Sequence, residues 1–150
     1  MSATDVEVTL REITGETLGA ILKLEVSDEQ KGFVAPNAVS IAQAHFSEHA
    51  WFRAIYAGEV PVGFVMLYLD QEKPEYWVWR FMIDKGRQGQ GYGYQAMKAV
   101  IAHVRTLPNA QELRLSYAPE EDNPAPFYEK LGYEETGEWE EGEKVMKLVL

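Results

Sequence analysis

The stretch that most restricts the fold is Lys85 to Tyr94, KGRQGQGYGY, with glycine at positions 86, 89, 91 and 93. Immediately before it stands YWVWRFMI, residues 76–83, whose aromatic and aliphatic side chains predict a strand. Immediately after it, Ala96, Met97, Val100, Ile101, Val104 and Leu107 recur at helical spacing, and Pro108–Asn109 close the segment. A strand, a glycine-dense turn and an amphipathic helix together make a place for an anion. Small residues let the backbone approach a ligand and permit positive φ, and the helix adds the positive end of its dipole. Arg87 contributes a cation beside the turn.

Three phosphate-loop templates compete for this stretch. Gly86 to Gly91 has the spacing of a Walker loop, but Tyr92 follows where that loop needs lysine. Gly91-Tyr92-Gly93-Tyr94-Gln95-Ala96 matches the dinucleotide fingerprint, with Glu112 about 20 residues further on. There the first glycine should follow its strand directly, yet a polar DKGRQGQ segment separates Ile83 from Gly91. The third template is the longer loop Gln88 to Gly93, whose successive N–H groups face a diphosphate at the start of the helix. A glycine-rich turn with no ligand is the plain alternative.

The rest of the chain supplies the frame. Val6 to Arg11 alternates as a strand, and Thr14 or Gly15 opens a helical pattern through Leu18, Ile21, Leu22 and Val26. Val39 to His49 predicts a second, weaker helix. Residues 51–56 and 62–69 predict a hairpin about Gly58, and residues 112–117 predict another strand. Pro124 to Leu131 predicts a short helix with Gly132 just past its end, and residues 134–139 and 144–150 close the chain as a hairpin about Glu141–Gly142. At 150 residues and 46% hydrophobic, the chain suits one core. The order β-α-α-β-β-β-α-β-α-β-β predicts a single α+β domain over residues 1–150, with a mixed, mostly antiparallel central sheet flanked by helices.

Composition removes several function classes. With no cysteine, disulfides, thiolate zinc sites and a cysteine nucleophile are excluded. A net charge of −10 argues against nucleic acid as a partner. The longest apolar run, Phe64 to Leu69, is far short of a membrane span, and Asp5 and Glu7 stand where a signal peptide carries basic and apolar residues. The expectation is a soluble, cytoplasmic protein without a membrane partner.

RQGQGYG resembles the acyl-CoA pyrophosphate loop of the GNAT N-acetyltransferases, Gln/Arg-x-x-Gly-x-Gly/Ala, here met by Gln88, Gly91 and Gly93. The element order is similar to that fold over the whole chain. More narrowly, FVAPN near residue 33, RFMIDKGRQGQGYG, NPAPFYEKLGY and TGEWEEGEKVMKLVL resemble bacterial spermine/spermidine (diamine) acetyltransferases. The resemblance implies acetyl-CoA as co-substrate and a small-molecule amine as acceptor. It implies cofactor contacts at Phe81, Met82 and Ile83, along Arg87, Gln88, Gly89, Gln90, Gly91, Tyr92, Gly93 and Tyr94, and at Asn123. It also implies Tyr128 as the acid that protonates the leaving thiolate, on the intact Phe127-Tyr128-x-x-Leu131-Gly132-Tyr133. Asn123 lies five residues before that tyrosine, where the family often has seven. A homodimer, with the closing hairpin pairing with a neighbour, is expected from the resemblance alone.

Acetyl transfer to an amine needs a held donor, a neutral amine, a stabilised oxyanion and a protonated leaving group. An ordinary primary ammonium releases its proton near pH 10.4, so a base, a water chain or a desolvating pocket must remove it. A backbone N–H at Met82 or Ile83 is the expected oxyanion donor. Many relatives carry a glutamate on the central strand, but here that strand offers Arg80. The candidate carboxylates are Glu25, Asp28 and Glu75 for the substrate, with Glu29, Asp70 and Glu72 behind them. Tyr56, Tyr68, Trp77 and Trp79 are candidates for a cation-binding wall. His45-Phe-Ser-Glu48-His49 matches an inverted zinc-protease pattern, but nothing marks a third ligand, so no metal is expected. The alternative to an enzyme is a non-catalytic acyl-CoA-binding module or sensor.

Overall fold

A computed structural model describes residues 6–31 and 34–150; Phe33 of FVAPN and the side chain of Glu29 lie outside what is described. Seven strands form one sheet: β1 (Val8–Arg11), β2 (Ala50–Ala57), β3 (Val60–Asp70), β4 (Glu75–Ile83), β5 (Glu112–Tyr117), β6 (Glu134–Glu140) and β7 (Glu143–Val149). Their spatial order is β1-β2-β3-β4-β5-β7-β6, and every neighbouring pair is antiparallel except β4 with β5. The helices are α1 (Leu18–Leu22), α2 (Asn37–His45), α3 (Tyr92–Val104) and α4 (Ala125–Lys130), with 3₁₀ turns at Asp28–Gln30 and Lys85–Arg87. This is the α+β single-domain architecture expected from the sequence.

β3 explains why the middle of the chain reads as an unbroken apolar run. Its two faces bury different residues: Val65 and Leu67 pack with Met97, Val100 and Val104 of α3, while Phe64 and Met66 pack with Ile21 of α1 and Ala44 of α2. A strand covered on both faces has no reason to alternate. The β2–β3 hairpin turns at Gly58, whose φ of +60° suits glycine. Gly63 of β3 is required by contact instead: a Cβ there would stand 2.4 Å from the Met82 carbonyl oxygen of β4.

The first two helices are shorter than expected. The pattern opening at Thr14 or Gly15 condenses to Leu18–Leu22 and a later turn, and the second helix runs Asn37–His45 rather than to residue 49. Gly15 and Gly19 weaken the first helix, and the second ends before an almost fully exposed Phe46, which has no apolar face to cover.

Two irregularities in β4 create the site. Met66 pairs with Arg80 but Leu67 pairs with Val78, so Trp79 is an extra residue and the strand bulges there. On its other side, β4 meets β5 at a single residue pair, Trp77 with Arg114, and beyond it the strands diverge.

Candidate active site

The divergence of β4 and β5 opens a cleft of about 1190 Å³. Past Trp77, the β5-facing N–H and C=O groups of β4 have no strand partner, which is what a ligand can use. Phe81, Met82 and Ile83 line the cleft here.

One end of the cleft is the glycine loop. Gly91 immediately precedes α3 with φ +83°, a conformation that side chains with a Cβ resist, and no side chain caps the helix. The first helical hydrogen bond runs from Gln95 N–H to the Gly91 carbonyl at 3.2 Å, so the N–H groups of the preceding turn have no helical acceptor. Arg87, Gln88, Gly89 and Gly91 to Tyr94 all line the cleft, whereas Gln90 does not. A Cβ on Gly93 would lie 3.4 Å from Ile83 and 3.5 Å from Phe127, in ordinary van der Waals contact with both. Uncapped N–H groups and a neighbouring arginine fit a diphosphate.

Gln88 braces the loop. Its Nε2 donates to the Ile83 carbonyl at 2.9 Å and to Gln30 Oε1 at 2.8 Å. Glu25 belongs to the same clamp: its N–H donates to Asp84 Oδ1 at 2.9 Å, its carbonyl accepts from Lys85 N–H, and its carboxylate pairs with Lys85 Nζ at 2.7 Å. Lys31 pairs with Asp28 at 3.0 Å, and Lys85 and Lys31 hold the Glu25 and Asp28 carboxyls below their usual range. Neither Glu25 nor Asp28 lines the cleft.

The middle of the cleft is aromatic. Phe81 stacks on Phe127 with centroids 6.0 Å apart, and Tyr128 meets Phe127 and Tyr133 edge-on at 5.1 and 5.5 Å. Tyr128 lines the cleft yet is only 7% exposed, and burial pushes its phenol well above the usual tyrosine value. It therefore holds its proton at any physiological pH. Tyr117, across the cleft, is pushed up to about 12 by burial and by its hydrogen bond to Glu135. Asn123 reaches the cleft, but its amide braces its own loop: Nδ2 donates to the Glu120 carbonyl at 2.8 Å, and Oδ1 accepts from Ala125 N–H at 2.9 Å.

The far end is acidic and aromatic. Tyr68, Trp77 and Trp79 line it, with Glu75, whose carboxylate accepts the Trp77 indole N–H at 3.1 Å. Glu140, Glu141 and Glu143, at the β6–β7 turn beside the C-terminal end of β5, also line the cleft, and Glu143 accepts the Ser116 hydroxyl at 2.8 Å. Sequence reasoning located that turn but not what it faces, because its position depends on β7 pairing antiparallel with β5.

Other candidates sit elsewhere. Asp70 caps the β3–β4 loop, accepting N–H groups of Glu72 and Lys73 at 3.1 and 3.0 Å, and Glu72 is exposed on that loop. Tyr56 packs in the core beneath Arg11. His49 lies beyond α2, 3.6 Å from Asp70, whereas His45 ends the helix against Phe46. Among the described residues, no group of three His, Asp or Glu is placed to hold a metal ion.

The family model "Acetyltransferase (GNAT) family" matches residues 17–133. The chain belongs to the GNAT acetyltransferase family. A spermine/spermidine N(1)-acetyltransferase of Bacillus subtilis strain 168 is 30% identical over 149 residues, covering 93% of this chain and 96% of that protein. Among solved structures, a domain from Methanocaldococcus jannaschii superposes with a TM-score of 0.77 at 15% identity, covering 97% of this chain and 100% of that one. A Bacillus subtilis acetyltransferase in complex with CoA gives a TM-score of 0.66 at 15% identity, covering 97% and 99%. These structural neighbours share the GNAT fold, and no helix among the described residues is long and apolar enough to cross a membrane.

Proposed function

We propose that this GNAT acetyltransferase moves an acetyl group from acetyl-CoA to a primary amine of a small cationic acceptor, with spermidine and spermine as first candidates. The observation that carries the reading is the mixed lining of the cleft, in which free N–H groups and Arg87 are joined by Glu75, Glu140, Glu141 and Glu143 and by aromatic rings. The name of the Bacillus subtilis relative supports the polyamine choice.

Bound acetyl-CoA supplies the thioester carbonyl and a thiol leaving group. The first turn of α3, with Arg87, holds the diphosphate. A β4 backbone N–H at Met82 or Ile83 donates to the carbonyl oxygen as negative charge builds on it. Tyr128, kept protonated by burial, gives its phenolic proton to the departing sulfur. The glutamates hold the acceptor's remaining ammonium groups, and the indole faces add cation–π attraction.

Thiol release from acetyl-CoA tests the whole reading, and the chain has no cysteine to give a background. Release is expected with spermidine or spermine. Tyr128→Phe should lower kcat about 100-fold or more while leaving CoA affinity within twofold. CoA binding without release from any amine would return the protein to a sensor role.

A further inference from the structure

Arg80 is the charge for which this mechanism has no use. It lines the cleft on β4, and no carboxylate stands on that strand between Tyr76 and Ile83. Arg11, Arg53 and Arg114 each pair with a carboxylate, at 3.1, 3.6 and 2.7 Å; among the described residues Arg80 pairs with none. Its guanidinium is held by neutral oxygens instead, donating to the Trp79 carbonyl at 3.1 Å and to Gln43 Oε1 at 3.2 Å. Its Nε is buried with no hydrogen-bond partner. Holding this half-buried cation without a paired carboxylate costs desolvation, and an apolar side chain opposite Met66 would avoid it.

The surroundings leave the charge in force. Glu143 of β7 is the carboxylate whose charge reaches it, and the β6–β7 turn adds Glu140 and Glu141 along the same wall. From β3 the titratable group facing the cleft is Tyr68; from β5, Tyr117; from the loop before α4, Asp122; from α4, Tyr128 and Lys130; β4 adds Glu75, the glycine loop adds Arg87, and α3 adds Tyr92 and Tyr94. Burial lowers the guanidinium's own pKa, and it starts so high that the group stays charged.

We propose that Arg80 tunes the protonation state of the acceptor: its unpaired guanidinium disfavours an ammonium at the reacting position and so raises the share of neutral amine there. The N–H bond of the ammonium breaks, the electron pair stays on nitrogen as the nucleophile, and the proton leaves to solvent water before attack. No carboxylate base on β4 is needed. Unit charges ~7 Å apart at an effective dielectric of ~20 shift the bound amine by about one to two pH units. Glu143 and its neighbours act in the reverse sense, so they keep the acceptor's other amines charged and offset part of this shift.

This inference rests on the amine-acetylation reading, and the test separates the two. Destabilising a bound ammonium weakens binding and raises turnover together, so it shows in kcat and KM separately and hardly in their ratio. Arg80→Met should lower kcat about tenfold at pH 7, lower KM in parallel, and move the acidic limb of the kcat profile up by about one pH unit. Arg80→Lys should keep the wild-type limb. Calorimetry of spermidine binding at pH 9, in buffers of different ionisation enthalpy, should show a substantial fraction of a proton released by wild type and less by Arg80→Met. Absence of that release from wild type overturns the proposal even if the variant fails to fold. A fall in kcat at every pH with KM unchanged also overturns it. If spermidine gives no thiol release but another amine does, the polyamine reading fails, and the same measurements on that amine decide the role of Arg80.

Discussion

The two ends of the cleft are made of different materials. The glycine-loop end is one contiguous piece, a strand, a turn and a helix between Glu75 and Val104, and its working groups are backbone N–H atoms. The rest of the lining gathers Tyr68, Trp77, Trp79 and Arg80 with Glu140, Glu141 and Glu143, from two neighbouring strands and a turn far along the chain, and it presents side chains. Backbone donors serve any substrate with the right diphosphate, whereas side chains can be exchanged without disturbing the sheet. On the function proposed above, the first would fix the donor and the second would be free to set the acceptor.

The largest separation of the two should come from Gly91→Val. A β-branched residue at φ +83° forces the start of α3 to rearrange. CoA affinity by calorimetry should fall tenfold or more, while spermidine affinity stays within twofold. Undiminished CoA binding would remove the helix start as the diphosphate site. Replacing Glu140, Glu141 and Glu143 together by glutamine should give the mirror image. The KM for spermidine should rise about fivefold at low salt, with CoA affinity unchanged, and the difference should shrink as salt is raised. A salt-independent effect would mean that the turn acts by shape. Asn123→Ala should have the smallest effect on either end, because its amide holds its own loop. Urea unfolding should show a loss of about 1 kcal/mol, with CoA affinity changed less than twofold. A larger loss of CoA affinity would restore a direct cofactor contact.

The same contrast explains what the sequence could tell. KGRQGQGYGY between YWVWRFMI and a periodic helix encodes its local geometry in adjacent residues, so loop, strand and helix were all readable, and Gly91 falls where positive φ is needed. The glutamates of the closing hairpin are visible as a turn, but their placement on the cleft requires the β5–β7 register and a parallel β4–β5 junction, which no short pattern records. Glu25 and Asp28 drew attention as free acids because their lysine partners, Lys85 and Lys31, cannot be assigned from spacing alone. The bulge at Trp79 was equally hidden, since one extra residue leaves no mark on composition.

The Trp77–Arg114 pair has a mechanical consequence. Strands β1 to β4 form one plate and β5 to β7 another, stitched at one point and otherwise joined by the side chains they share beneath α3. Such a joint resists shear through packing but has little hydrogen-bonded stiffness against being pried apart at its open end. A substrate seated in the gap is thus also a rivet, and the protein should be stiffest while it is loaded.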